Sequence, residues 1–293
     1  MLSGMARIAI IGGGSMGEAL LAGLLRAGRQ VKDLVVAERM PDRAKYLAQT
    51  YSVRVTSVQD AVESATFVVV AVKPADVEAV MGDLANAAVA ADNDSAEQVF
   101  ITVAAGITIT YFESKLPAGT PVIRAMPNAA ALVGAGVTAL AKGRFVSAEQ
   151  LAEASALFDA VGGVLTVPES QMDAVTAVSG SGPAYFLLLV EALVEAAVAV
   201  GISRPVANDL AVQTMAGAAA MLLERMDQDR DQADGEPLRV DTSAFELRAS
   251  IVSPGGTTAA ALRELERGGF RATVDAAVQA AKTRSEQLRI TSE

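Results

Sequence analysis

Within the stretch SIVSPGGTTAAAL, residues 250–262, three hydroxyl side chains and two glycines crowd into Ser253–Thr258. Pro254, Gly255 and Gly256 stop the preceding element. Gly255, Gly256, Thr257 and Thr258 then offer backbone N–H groups at what reads as a helix start, where such groups have no partner within the helix. A terminus of that kind favours an anion, and Ser253 adds a hydroxyl donor. The plainer reading is a helix cap made by serine or threonine.

A second cluster lies near the chain start. Gly12-Gly13-Gly14-Ser15-Met16-Gly17 matches G-x-G-x-x-G directly after a β-branched run and directly before a helical pattern, the context in which that motif binds a dinucleotide. Gly12 permits the tight turn, Gly14 lets backbone approach a pyrophosphate, and Gly17 lets the helix pack on its strand. Glu38, at the end of the next strand, suits the ribose 2′-OH of NAD. Arg39 follows it and suits the 2′-phosphate of NADP. The pair conflicts.

Further candidates stand at strand ends. Ala71, Val72, Lys73 and Pro74 close the fourth strand, at the edge where such sheets bind ligands; Lys73 either reaches ribose or phosphate or is a solvated lysine. Ala104 and Ala105, in VAAGI, are small enough for a cofactor ring to lie close. Arg124, in RAMPN, either meets a carboxylate or forms a structural ion pair, which is the reading preferred. SGSGPAY, 179–185, puts glycines inside an apolar helical run, which fits close approach by a ligand or backbone as well as a tight helix crossing.

The elements needed to position these residues are visible in the hydropathy pattern. Strands are expected at 8–11, in DLVVAER, VRVT, TFVVVAVKP, QVFITVAAGI and PVIRAMPN, with GGVLTVP a possible addition. Helical patterns alternate with them, which predicts a parallel sheet covered on both faces. From Glu169 onward no convincing strand occurs. The expected organisation is α/β: a dinucleotide-binding domain over 1–168 and an all-helical domain over 169–293. The charged stretch Asp227–Asp241 reads as an exposed loop.

Composition narrows the chemistry. The 293 residues contain no histidine and no cysteine. Disulfides and Cys/His metal sites are excluded, as is an imidazole general base; no metal ligand set is expected. The net charge of −10 argues against nucleic acid as the main partner. MLSGMARIAI does not read as a signal peptide, and Ala174–Val190, broken by SGSGP, reads as a poor membrane span. The expectation is a cytoplasmic chain with no membrane partner.

Taken in order, GGGSMG (12–17), AVKP (71–74), VAAGI (103–107), RAMPN (124–128), DAVTAVSGSGPAY (173–185) and SPGGTT (253–258) resemble the Δ1-pyrroline-5-carboxylate reductases of proline biosynthesis. The resemblance runs from about Arg7 to Leu288. It implies a Rossmann domain followed by a helical dimerisation domain, substrate sites shared between two subunits, and assembly into a decamer of five dimers. It also implies that Ser253, Gly255, Gly256, Thr257 and Thr258 hold the carboxylate of pyrroline-5-carboxylate, with Thr258 reaching the ring nitrogen. Together with Arg39, the resemblance makes NADPH the expected cofactor, with NADH also accepted because of Glu38. Ser243 stands where the family commonly has a histidine. Two rivals remain. One is a related imine or β-hydroxyacid reductase, disfavoured because TAVSGSGPAYFLLLVEAL lacks a lysine; the other is a dinucleotide-binding scaffold without turnover.

Overall fold

The computed structural model of the chain describes residues 6–63, 65–91, 98–232 and 243–289. Eight strands form one sheet: β1 Ile8–Ile11, β2 Leu34–Ala37, β3 Arg54–Thr56, β4 Phe67–Val70, β5 Val99–Thr102, β6 Val122–Met126, β7 Gly136–Lys142 and β8 Gly162–Thr166. The helices are α1 Ser15–Arg26, α2 Pro41–Tyr51, α3 Val58–Val62, α4 Val77–Ala91, α5 Ile109–Lys115, α6 Ala148–Phe158, α7 Met172–Val175, α8 Gly182–Ala199, α9 Arg204–Gln232, α10 Ser243–Ser250, α11 Thr257–Arg267 and α12 Phe270–Gln287.

Strand order is β3-β2-β1-β4-β5-β6-β7-β8. Its first six strands have the doubly wound Rossmann order, and the chain reverses direction across β1, which opens a crevice at the strand ends. β1, β2 and β4 are apolar at every position because both faces are covered. Ala9, Ile11, Val35, Ala37, Val68 and Val70 pack on one side, and Ile8, Ile10, Leu34, Val36, Phe67 and Val69 on the other.

The parallel sheet expected from the sequence is corrected at one pair, which is antiparallel. β7, absent from the expected strands, pairs antiparallel with β6 and parallel with β8. In Gly136–Lys142, GVTALAK, one glycine, two alanines and a lysine dilute the strand signal of Val137 and Thr138. GGVLTVP does supply the last strand. Gly28, with φ +90, follows α1 as a helix stop, and Pro41 begins α2, both as expected.

The chain divides into two compact units, Met1–Pro183 with Val278–Glu293, and Ala184–Ala277. That line differs from the sequence boundary at 168, and a buried network accounts for it. Asp173, at 1 % exposure, accepts from Ser285 Oγ at 2.7 Å and from the guanidinium of Arg289, whose Nε lies at 2.7 Å. The end of α12 is thereby tied to α7 within the sheet unit. Burial alone would raise the Asp173 pKa, but hydrogen bonds from Arg289 and Ser285 and the nearby charges of Arg289 and Arg124 outweigh it and hold the carboxyl below the usual aspartate range. A depressed carboxylate stabilises the fold above its unfolded pKa of about 3.9 and loses that contribution as pH falls through the lower folded value. Asp173→Asn is expected to lose about 1–3 kcal/mol of stability at pH 7, toward the low end because Arg289 is 39 % exposed and screened by water. Denaturant melts of both proteins should show that gap closing below about pH 4; a gap independent of pH would remove the ionic contribution.

Two helical stretches, Glu169–Ala199 and Arg204–Asp229, are long and apolar enough to cross a membrane by length and composition. The first contradicts the reading of 174–190 as too interrupted. A single π-helical turn, Thr176–Gly180, bridges α7 to α8 and carries the chain through the Gly-Ser stretch without breaking it. A Cβ on Gly180 would lie 2.9 Å from Met126 Cε, whereas Gly182 has open space. Asp227–Gln232, expected as loop, continues α9: Arg225 pairs with Asp229 one turn on and with Glu246 of α10, and i,i+4 pairs support a helix. Residues 233–242 lie outside the described residues.

Candidate active site

β1 ends at Ile11 and the chain turns at once. Gly12 has φ +101, and a Cβ there would lie 2.9 Å from the Ala71 backbone and from Val72 Cγ1. A Cβ on Gly17 would sit 2.0 Å from the Gly12 carbonyl oxygen. Both glycines are therefore required by packing. Gly13 is buried, with Leu47 Cδ1 2.3 Å from where a Cβ would stand. Gly14 differs: nothing lies within 4 Å of its Cβ position. It is the N-cap of α1 and provides no side-chain cap. Ser15 and Met16 follow in the first turn. The result is a helix N-terminus with open space before it, suited to an anion.

The loop is braced from α2. Arg43 Nε donates to the Gly13 carbonyl at 2.6 Å, and the same guanidinium pairs with Glu18. Tyr51 donates to Glu18 at 2.8 Å. Burial and the Glu18 carboxylate push Tyr51 up to about 12. Burial would raise Glu18, but the bonds from Arg43 and Tyr51 dominate and hold it below the usual range. At neutral pH the loop thus carries a charged Arg43–Glu18 pair and a neutral tyrosine.

A cleft of about 450 Å³ opens beside this loop. Of the residues expected at a cofactor site, Gly12, Gly14, Glu38, Arg39, Ala71, Val72 and Lys73 line it. Gly13, Ser15, Met16, Gly17 and Pro74 adjoin it without forming its wall, and Ala104 and Ala105 lie beyond the end of β5. Thr56, Ser57, Val58 and Asp76 line the cleft but were missed from sequence. Thr56 ends β3 and Ser57 and Val58 follow it, and only the observed β3-β2-β1 order brings them to the end of β2. Glu38 is engaged: Oε2 accepts from Gly13 N–H at 2.9 Å and Oε1 from Met40 N–H at 2.8 Å. Lys73 is exposed and forms no ion pair among the described residues.

Arg124 has the structural role preferred from sequence. It is 2 % exposed and pairs with Glu169 at 3.4 Å. Glu169 also accepts from Ile109 N–H at 2.7 Å.

The Ser253–Thr258 loop lies in the other unit. Gly255, with φ +72, turns the chain, and Gly256 N–H donates to the Ser253 carbonyl at 3.0 Å. The N-cap of α11 is Gly256, with no side-chain cap. Of the two readings, the plainer one, a helix cap by serine or threonine, is therefore not the one formed. Thr257 and Thr258 are its first two residues and are exposed. A glycine cap leaves the first-turn N–H groups and the adjacent hydroxyls available to a ligand. Ser243 is buried and donates to Asp229 at 2.8 Å.

Comparison with known proteins agrees with this arrangement. Residues 169–288 match the family model for pyrroline-5-carboxylate reductase dimerisation, and residues 7–106 match that for NADP oxidoreductase, coenzyme F420-dependent. A pyrroline-5-carboxylate reductase of Mycobacterium tuberculosis is 82% identical over 295 residues, covering 100% of both chains. Among solved structures, a pyrroline-5-carboxylate reductase from Coxiella burnetii aligns with a TM-score of 0.85 at 33% identity, over 98% of this chain and 100% of that one. The pyrroline carboxylate reductase of Plasmodium falciparum with NADP bound aligns with a TM-score of 0.78 at 26% identity, over 97% and 98%. A Rossmann sheet, two uncapped helix termini and likeness over the whole length converge: the chain belongs to the pyrroline-5-carboxylate reductase family.

Proposed function

We propose that the chain reduces 1-pyrroline-5-carboxylate to L-proline with NADPH, accepting NADH as well. The observation that carries this reading is the uncapped start of α11 in a chain of this family. Ser253, Gly255, Gly256 and Thr257 supply the donors for the substrate carboxylate, and Thr258 turns its hydroxyl to the ring nitrogen. The dinucleotide fits the other terminus: Gly14 leaves room for a pyrophosphate, with Gly12, Gly13, Ser15, Met16 and Gly17 shaping the loop. Glu38 and Arg39 face the adenosine ribose, Ala71, Val72, Lys73 and Pro74 flank the cleft, and Ala104 and Ala105 leave space for the ring. The cofactor supplies the hydride when bound.

The protein's own task is to hold the imine carboxylate, orient C=N and exclude water. A protonated imine accepts hydride at carbon without a strong protein acid, which suits a chain lacking histidine. Thr258 accepts from or donates to the nitrogen as its charge changes, directly or through water. Cofactor consumption with pyrroline-5-carboxylate and each nicotinamide tests the reading. Turnover with NADPH is expected; none with either cofactor would leave a binding scaffold, and turnover only with a β-hydroxyacid would favour the rival reductase.

The functional domains in this reading are 1–168 and 169–293, the second matching the start of the dimerisation model at residue 169. Helices α8 and α9 expose Phe186, Leu187, Leu188, Leu193, Leu210 and Leu223 in the single chain. Apolar rows of that size need a partner, and a second copy of the chain is the one proposed, with five dimers forming a decamer. With those rows covered by a second copy a membrane is not needed, and the cytoplasm is the compartment proposed. Sedimentation should find no active monomer at micromolar concentration, and cell fractionation should leave the protein in the soluble fraction.

A further inference from the structure

The cleft beside Gly12 has opposing charges on its walls: Glu38 and Asp76 against Arg39 and Lys73. Glu38 is already committed to the Gly13 and Met40 N–H groups. Arg39 is committed too. Its Nη2 donates to Asp76 Oδ1 at 2.8 Å, across 37 residues of chain. The two ends of that bond differ in rigidity. Asp76 closes the 3-10 turn Pro74–Asp76, and its N–H donates to the Lys73 carbonyl at 2.8 Å. Arg39 is 71 % exposed on a long stem. The turn therefore places the carboxylate, and the guanidinium comes to it.

We infer that Asp76 is a positioning residue that sets the preference between the two nicotinamide cofactors, by competing with a 2′-phosphate for Arg39. The inference rests on the nicotinamide dinucleotide reading above and extends it to a residue outside the recognised motifs. A phosphate monoester carries about −1.5 to −2 charge near neutral pH. Entering this cleft, it meets two carboxylates and must draw Arg39 from Asp76. A ribose 2′-OH is neutral and can use the remaining lone pairs of Glu38, so it needs no such rearrangement. The acidic wall thus weighs on NADPH alone. The alternative is a plain surface ion pair joining the ends of β2 and β4, which would affect stability and not cofactor preference.

Calorimetric titration of the full chain with adenosine 2′,5′-bisphosphate and with 5′-AMP separates these readings without requiring turnover. For Asp76→Asn, the affinity ratio of bisphosphate to AMP should rise about three- to fivefold, the scale of an exposed ion pair. Asp76→Glu should restore the parent ratio. In an Arg39→Ala background most of the gain should vanish, because the group Asp76 competes for is gone. An unchanged ratio in Asp76→Asn, or the same gain without Arg39, overturns the inference. If the parent chain binds both nucleotides, such a result sinks only the role of Asp76; if it binds neither, the cofactor reading falls with it.

Discussion

Gly14→Val is expected to fold as the parent chain does and to bind NADPH about a hundredfold more weakly. The two halves of this expectation have different origins. Gly14 has φ −65, and a Cβ there meets nothing within 4 Å, so the fold accepts a side chain. That same empty space is where the proposed pyrophosphate approaches the first turn of α1. A branched side chain fills it, and overpacking of this kind costs about 1–3 kcal/mol; a factor of about one hundred corresponds to the upper part of that range. Thermal melting should match the parent, while titration followed by NADPH fluorescence should shift. Gly17→Ala provides the contrast. Its Cβ would overlap the Gly12 carbonyl, so loop and helix must move, and melting temperature should fall together with binding. If Gly14→Val binds NADPH within threefold of the parent, the pyrophosphate does not use this space.

Thr258→Ala should retain its fold and cofactor affinity and lose roughly tenfold or more in kcat/KM for the imine. A hydrogen bond to a charged group is worth about 1.5–3 kcal/mol. Thr258 is free for that role because Gly256, and not a hydroxyl, is the N-cap of α11. Its removal therefore takes no cap away. Thr257→Ala should act mainly on KM, through the carboxylate. Stopped-flow hydride transfer separates the two variants: parent-like rates in Thr258→Ala would leave the nitrogen to water.

Much of this was legible in sequence, for physical reasons that vary with the residue. β1, β2, β4 and β5 are short runs of β-branched or other apolar side chains buried on both faces, which few other structures accommodate. Gly12 and Gly17 are fixed by contacts with their immediate surroundings, so motif and geometry coincide. β7 escaped because its glycine, two alanines and lysine carry little strand preference, and its antiparallel pairing depends on where the chain returns. The α11 cap stayed open between a hydroxyl and the backbone because three candidate hydroxyls flank a glycine that needs no side chain to cap. Glu38 was placed at the cleft, but its bonds to Gly13 and Met40 were not foreseeable. Asp76 and Ser57 are distant in sequence from Glu38 and Arg39, and only strand order brings them close.

Asp173 has a consequence for the order of synthesis. Its partners Ser285 and Arg289 belong to the sheet unit, yet they leave the ribosome after all of 184–277. Domains generally fold as they emerge, N-terminal regions first. Here the sheet can pair early, but Asp173 of α7 lacks its Ser285 and Arg289 partners until the end of α12 arrives. A nascent chain halted at residue 277 would hold a formed sheet with an unsatisfied seam, most readily opened by protease around Asp173. Completion of the first unit therefore waits on translation of the second.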